Sequence, residues 1–284
     1  MHHVGRLADT AADNGPYAGH SDGLARFPLV DRQAGSPHQG LTVAELSAGG
    51  RVGWHVQAYE EAVYVLEGSI TVEMVGGLEQ LSADDYCFIE KGVPHALANA
   101  ADSSARWLEL AAPQPGSDMI SDTVFFAAEP VLELPEAPFR RGHFDLSALP
   151  PPSSAIGLAG FGAANVGGAA LEILLQRDSG ASQFNLMVVQ YGPGGFISEH
   201  DHAFEEAFYF LTGEIEAVLD GSVYTLGAGD YCWSGVQSSH SLTNRSDQPV
   251  RWLETQVPQP PSRHQARFRA DWERLLAEIS GPSS

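Results

Sequence analysis

Four side chains in the second half of this 284-residue chain have the types and spacing of a metal-ligand set: His200, His202, Glu206 and His240. In an extended strand, residues two apart project to the same face, so His200 and His202 can aim two imidazoles at one point. Glu206 shares their parity, with Ala203-Phe204-Glu205 as a turn-like interruption. His240 comes from a later strand and closes the site from the neighbouring wall. Three imidazoles and one carboxylate are too rich in nitrogen for Mg²⁺ or Ca²⁺ and suit a divalent first-row ion. Four ligands around an octahedral ion leave two positions for substrate or O₂. The expected cofactor is one such ion per occupied site, manganese or iron first, with nickel, copper and zinc as alternatives.

Other residues near this set have chemistry to offer. Glu206 and its neighbour Glu205 are the candidate catalytic groups for proton transfer, and Glu199 flanks the ligands as well. Phe208 and Phe210 share the face of Glu206, where they either line an apolar pocket or fill a core. Trp233 and Gln237 lie on the approach to His240 and are further substrate-pocket candidates. His2, His3, His20, His38, His143 and His264 show no ligand spacing and read as surface or core residues.

The elements that must position these groups are set by an internal repeat. Shifted by 145 positions, the chain aligns with itself without a gap. Glu60-Glu61-Ala62 falls on Glu205-Glu206-Ala207, Asp85-Tyr86-Cys87 on Asp230-Tyr231-Cys232, and Arg106-Trp107-Leu108-Glu109 on Arg251-Trp252-Leu253-Glu254. Each half is one domain, drawn here as 1–140 and 141–284, with Leu146–Ser154 and its proline run as part of the connection. Runs such as Ala62–Leu66, Ile70–Met74, Leu186–Tyr191 and Ala207–Leu211 are short and rich in β-branched or aromatic residues. Glycine pairs at Gly49-Gly50, Gly76-Gly77 and Gly194-Gly195, and Asp220-Gly221, mark the expected turns. The fold class is therefore all-β: two barrels or jelly rolls in tandem, which close or cover their sheet edges. A short C-terminal helix is expected where Phe268, Trp272, Leu275, Leu276 and Ile279 fall at helical spacing, capping a barrel or meeting another subunit.

The motifs resemble those of the cupin superfamily. From Gly194 to Gly213 the chain reads glycine, five residues, His-x-His, three residues, glutamate, six residues, glycine, the first cupin motif without exception. The second motif is met at Gly229, His240 and Asn244, with Gly235 and Gln237 in place of its proline and glycine. The first repeat carries His55, Gln57, Glu61 and His95 at the ligand positions, with Gly49, Gly68, Gly92 and Asn99 also matching. There an amide replaces one imidazole, a weaker donor, so this N-terminal site is either a second, weaker metal site or a decayed one. The resemblance implies two cupin jelly-roll domains and a metal-dependent enzyme. The three-histidine, one-glutamate set is that of cupin dioxygenases, which implies an oxidoreductase acting on a small enolic or phenolic molecule. The two-barrel layout is also similar to ureidoglycine aminohydrolase, whose ligand types match at only one of the four positions, so a metal-dependent aminohydrolase is the alternative. A non-enzymatic small-molecule-binding cupin is the third reading.

Bulk composition narrows the partners. The formal net charge is −21, from 15 basic and 36 acidic residues. Such a surface repels nucleic acid and anionic membranes. No apolar run approaches the roughly 20 residues that span a bilayer, and Met1–Asn14 lacks a secretion-signal pattern. A cytoplasmic protein with a small-molecule substrate is expected, and a homo-oligomer is compatible with the layout. The two cysteines, Cys87 and Cys232, occupy equivalent places in the repeats and read as separate buried thiols.

Overall fold

The computed structural model describes residues 1–75, 77–116, 122–131, 140–150, 165–261 and 266–280. Gly76, His264 and residues 151–154 of the expected connection lie outside the described residues. Two compact units share the chain, and no single cut between 140 and 141 separates them. One consists of Leu7–Leu146 with Leu174–Asn185, the other of Met1–Arg6, Ser147–Ile173 and Leu186–Ser284.

Among the described residues each unit holds one ten-stranded sheet that curls into a barrel. In the second unit the main path runs His2–Arg6, Asp230–Ser234, Glu205–Thr212, Val250–Val257, Asn185–Asp201, His240–Thr243, Glu214–Leu219, Ser222–Gly227. The first unit follows the same order with Arg140–His143, Asp85–Ile89, Glu60–Glu67, Ala105–Ala112, Gly40–Gln57, His95–Ala98, Ser69–Met74 and Gly77–Ser82. Seven of the eight positions on each path are related by the repeat. The outermost strand is not, because each unit takes it from the segment leading into the other repeat. His2–Arg6 pairs with Asp230–Ser234, and Arg140–His143 pairs with Asp85–Ile89. Gly5 and Gly142 sit at matching places in these strands, each where a Cβ would strike the phenol of Tyr231 or Tyr86, at 2.4 and 2.2 Å from the hydroxyl oxygen.

The strands are longer than their apolar runs. Gly194-Gly195 and Gly49-Gly50, expected to be turns, are bends inside the continuous strands Asn185–Asp201 and Gly40–Gln57. Alternation explains the rest of the packing. Phe208, Phe210, Cys232, Leu242 and Trp252 fill the second barrel, and Val63, Val65, Cys87, Leu97 and Trp107 fill the first. Both thiols are buried and free. Phe268 is buried in a two-residue strand, Arg267–Phe268, and the helix begins after it, at Arg269–Ser280. Within this chain that helix buries none of its residues, and Trp272, Leu275, Leu276 and Ile279 stay exposed. No described helix is long and apolar enough to cross a membrane.

Candidate metal centre

The four residues singled out in the second repeat converge, all of them buried, with their ligand atoms within 4.8 Å of one another. The strand ends at Asp201, so His202 stands just past it, and the chain turns back at His202–Phe204 to enter the strand Glu205–Thr212. Glu206 thus reaches the site from the next strand in the chain, which Val250–Val257 separates from Asn185–Asp201 in the sheet, rather than by continued alternation. His240 opens its own short strand and is the register partner of His200 across a bulge that follows Ile197. Each imidazole is turned by its own backbone: Nδ1 lies 2.8 Å from the Ser198 carbonyl in His200, 3.4 Å from that of Phe204 in His202, and 3.0 Å from that of Ser238 in His240. A carbonyl oxygen only accepts, so each Nδ1 carries a proton and each ring turns its Nε2 towards the site.

Those nitrogens meet a carboxylate. Glu206 Oε2 lies 3.2 Å from His202 Nε2 and 3.1 Å from His240 Nε2. The His202 nitrogen is buried and has no partner in hydrogen-bonding geometry. A nitrogen and a buried carboxylate oxygen at that distance need a positive charge between them, a proton on the imidazole or a metal ion. Burial and the neighbouring His240 and His202 push the His200 imidazole well below its ordinary range, so that ring stays neutral. Burial alone would raise the Glu206 carboxyl, but His202 and His240 outweigh it and hold the group well below the usual carboxylate range. Burial likewise disfavours charge on His202, and Glu206 reverses that, raising the imidazole. Both directions describe one fact: the carboxylate demands a cation, and a divalent ion fits the donor set.

The corresponding residues of the first barrel are arranged differently. His55 and His95 keep their Nδ1 bonds to Gly53 and Val93, at 2.8 and 3.0 Å, and their rings lie 4.1 Å apart. Glu61 Oε2 is 3.6 Å from His95 Nε2 and makes no hydrogen bond. The Gln57 side chain is held through its Nε2, which donates to the Tyr17 hydroxyl at 2.8 Å. Tyr17 comes from the short segment Gly15–Tyr17, is buried, and packs edge-on against His55 and Phe125. Among the described residues the second-barrel set is the cluster of histidine and acidic side chains that converges tightly, and this one is not part of such a cluster.

A cupin domain family model matches residues 42–111 and again 187–255, one match within each barrel. Both barrels are cupin domains. No curated protein matches the sequence. Among solved structures, oxalate decarboxylase from Bacillus subtilis superposes with a TM-score of 0.66 at 16% identity, covering 98% of this chain and 81% of that one. The oxalate decarboxylase–formate complex from Lactobacillus farciminis gives 0.65 at 16% identity, covering 98% and 91%. The protein Ylba from Escherichia coli gives 0.65 at 15% identity, covering 90% of each chain. At these identities the likeness is one of fold.

The other expected residues of the second cupin barrel separate into core and rim. Phe208 and Phe210 belong to the packed core, Phe208 with its ring centroid 6.2 Å from that of His240. Glu205 is buried on the face of its strand opposite Glu206 and accepts from Trp233 Nε1 at 3.2 Å, which also accounts for Trp233. Glu199 accepts from Ser239 and pairs with Arg269. The motif asparagine Asn244 donates to the carbonyls of Tyr191, Gly192 and Gln248, as Asn99 does to Leu46, Ser47 and Ser103. Its work is to hold loops. Gln237 is the pocket candidate that lines a cavity: about 480 Å³, mostly apolar, bordered by His202, Ala203, Phe268, Trp272 and Leu275.

Three neighbours of the ligands escaped the sequence reading. Gln256 donates to Glu206 Oε1 at 2.9 Å and fixes the carboxylate from its far oxygen. Phe268 stacks on His200 with centroids 5.2 Å apart, and Phe204 lies parallel to His202 at 4.2 Å. Gln256 left a trace: its repeat partner is Ala111, so the two repeats differ there just as they differ at His202 and Gln57.

Proposed function

We propose that the second cupin barrel is the metal centre of an enzyme. His200, His202, Glu206 and His240 hold one divalent first-row ion, and the reaction is a dioxygenase-type oxidation of a small enolic or phenolic molecule. The observation that carries this is the convergence of three backbone-oriented imidazoles and one buried carboxylate, with all four ligand atoms within 4.8 Å of one another. When bound, such an ion supplies Lewis-acid charge that favours the enolate or phenolate form of a substrate. The chain contributes the rest. Glu206, kept ionised, is the proton acceptor among the four ligands, and Gln256 fixes its orientation. Phe268, Trp272 and Leu275 give the substrate an apolar enclosure that thins out water around the charged groups.

A second reading comes from the fold neighbours named oxalate decarboxylase, which suggests a lyase acting on a carboxylate. Arg267 lines the cavity and is the group that would favour it. Its guanidinium is already held by Asp201 through Nε and a second nitrogen. A mostly apolar space of about 480 Å³ also suits a body larger than a two-carbon diacid.

Supplied with a panel of enols, catechols and flavonols, metal-loaded protein should consume O₂ in step with substrate and stop under anaerobic conditions. An oxygen electrode checks this. Release of CO₂ from oxalate or of ammonia from ureido compounds, with no O₂ uptake, would replace the dioxygenase reading by a lyase or an aminohydrolase. For the first cupin barrel the expectation is weaker binding, because at Gln57 an amide, a weaker donor, replaces an imidazole. Stepwise chelation of His240→Ala and His95→Ala proteins, followed by metal analysis, should show that any ion held by the first barrel leaves at a lower chelator concentration. Equal retention by the two barrels would contradict this.

A further inference from the structure

The turn before His240 is built the same way in both repeats. Gln237 N–H donates to the His202 carbonyl at 2.9 Å, and its repeat partner Gly92 donates to the Gln57 carbonyl at 2.8 Å. Both residues have left-handed backbones, with φ of 61° at Gln237 and 79° at Gly92. That conformation suits glycine and disfavours any other long side chain. Aspartates elsewhere in the chain occupy it too, at Asp84 and Asp220, but a short polar side chain tolerates it by local hydrogen bonding. Gln237 has no such compensation. Gln237 is exposed, its side-chain amide makes no hydrogen bond among the described residues, and the residue lines the cavity that borders His202. The backbone does the same work in both repeats, so the side chain is the only addition, and it stands beside the metal set that is complete.

We propose that Gln237 is a specificity-determining residue of the second-barrel site. Its amide hydrogen-bonds an uncharged or weakly charged oxygen substituent of a ligand whose apolar body lies against Ala203, Phe268 and Trp272 and whose other end reaches the metal beside His202. The inference rests on the metal-centre reading and deepens it. The substrate class becomes enols or phenols that carry a second oxygen group away from the coordinating end. An amide offers a donor and an acceptor face and no charge, so it favours hydroxyl, carbonyl or nitro oxygens over bare hydrocarbon. Strain held in place by the surrounding fold at a ligand-facing position is the pattern expected of a functional side chain.

The test compares wild type with Gln237→Gly and Gln237→Ala. Two readouts are taken: melting temperature of the metal-free protein, and calorimetric binding to the Mn²⁺-loaded protein of azide, catechol and 4-nitrocatechol. Azide reports the metal alone, and the nitro group of 4-nitrocatechol supplies the second oxygen substituent. Both variants should bind 4-nitrocatechol about tenfold more weakly, the scale of one lost hydrogen bond, with azide and catechol unchanged. The melting temperature of Gln237→Gly should be unchanged or raised, because glycine suits the backbone better. Unaltered 4-nitrocatechol affinity in both variants would overturn the proposal, as would a wild-type protein that binds azide but not 4-nitrocatechol. A fall in melting temperature and azide binding together would show a merely structural turn residue and overturn it as well. Failure of wild type to retain Mn²⁺ or bind azide would instead take down the metal-centre reading, and this inference with it.

Discussion

His240→Ala protein will lose the second-barrel metal, and with it the stabilisation that metal confers. The wild-type site offers four donors already oriented by backbone carbonyls and by Gln256, so little must be reorganised on binding. An ion present at about a thousand times its dissociation constant stabilises the folded state by roughly 4 kcal/mol. Added Mn²⁺ should therefore raise the melting temperature of metal-free wild type by about 10 °C, on the scale of roughly 2–4 °C per kcal/mol for a chain of this size. His240→Ala should show almost none of that rise, and metal analysis should find well under one tightly held ion per chain. Gln256→Ala tests the same centre more gently. It removes no ligand, only the bond to Glu206 Oε1, and should weaken the metal about 10–100-fold. A His240→Ala protein that keeps wild-type metal content and the full thermal shift would show that the four residues do not share an ion.

Much of this centre is legible in the sequence because ligand types are sparse and their spacing is tied to strand geometry. His200-x-His202 puts two rings on one side whatever the loop beyond does, and the repeat identifies His240 by its twin His95. Alternation could not carry Glu206, since the strand stops at Asp201 and the chain turns before it resumes. The side chains that complete the surroundings arrive from distant segments with no motif of their own. Tyr17 reaches Gln57 from 40 positions away, and Gln256 reaches Glu206 from 50. The barrels were visible because seven strands of each path keep one register. The outermost strands were not: His2–Arg6 and Arg140–His143 share little besides one glycine, and each pairs in the unit of the other repeat. The glycine pairs misled for a physical reason. Gly194, with φ of 73°, does bend the chain, but pairing with His240–Thr243 begins just beyond it at Phe196, so the bend stays within one strand. Phe268 fits helical spacing with Trp272 yet is claimed by a register pairing with His200, and the helix starts one residue later.

The largest stability effect is expected from a place where the two barrels solve the same packing problem differently. Glu109 and Glu254 are repeat partners, both buried, and each accepts from the indole Nε1 two residues before it, Trp107 or Trp252, at 3.0 Å. In the first barrel Arg26 adds two bonds to Glu109 Oε2 and lies over the Tyr17 ring at 4.5 Å. Burial disfavours its charge, but Glu109 outweighs burial and raises the guanidinium further above its ordinary range. In the second barrel the partner position is Leu171, which packs against the core. Among the described residues no cation pairs with Glu254, and burial together with Glu206 pushes it well above the usual carboxylate range. Arg26→Leu therefore copies the second barrel's residue into a site tuned for an ion pair. It strands a buried carboxylate and should destabilise the protein by about 3–5 kcal/mol, the scale of breaking a buried pair from one side. Glu109→Gln in the same chain removes the stranded charge and should recover most of that loss. Thermal or urea unfolding of the two single variants and the double variant measures the coupling. Simple additivity of the single effects would show that Arg26 and Glu109 act independently, and would remove the ion pair as the reason the first barrel keeps an arginine where the second has a leucine.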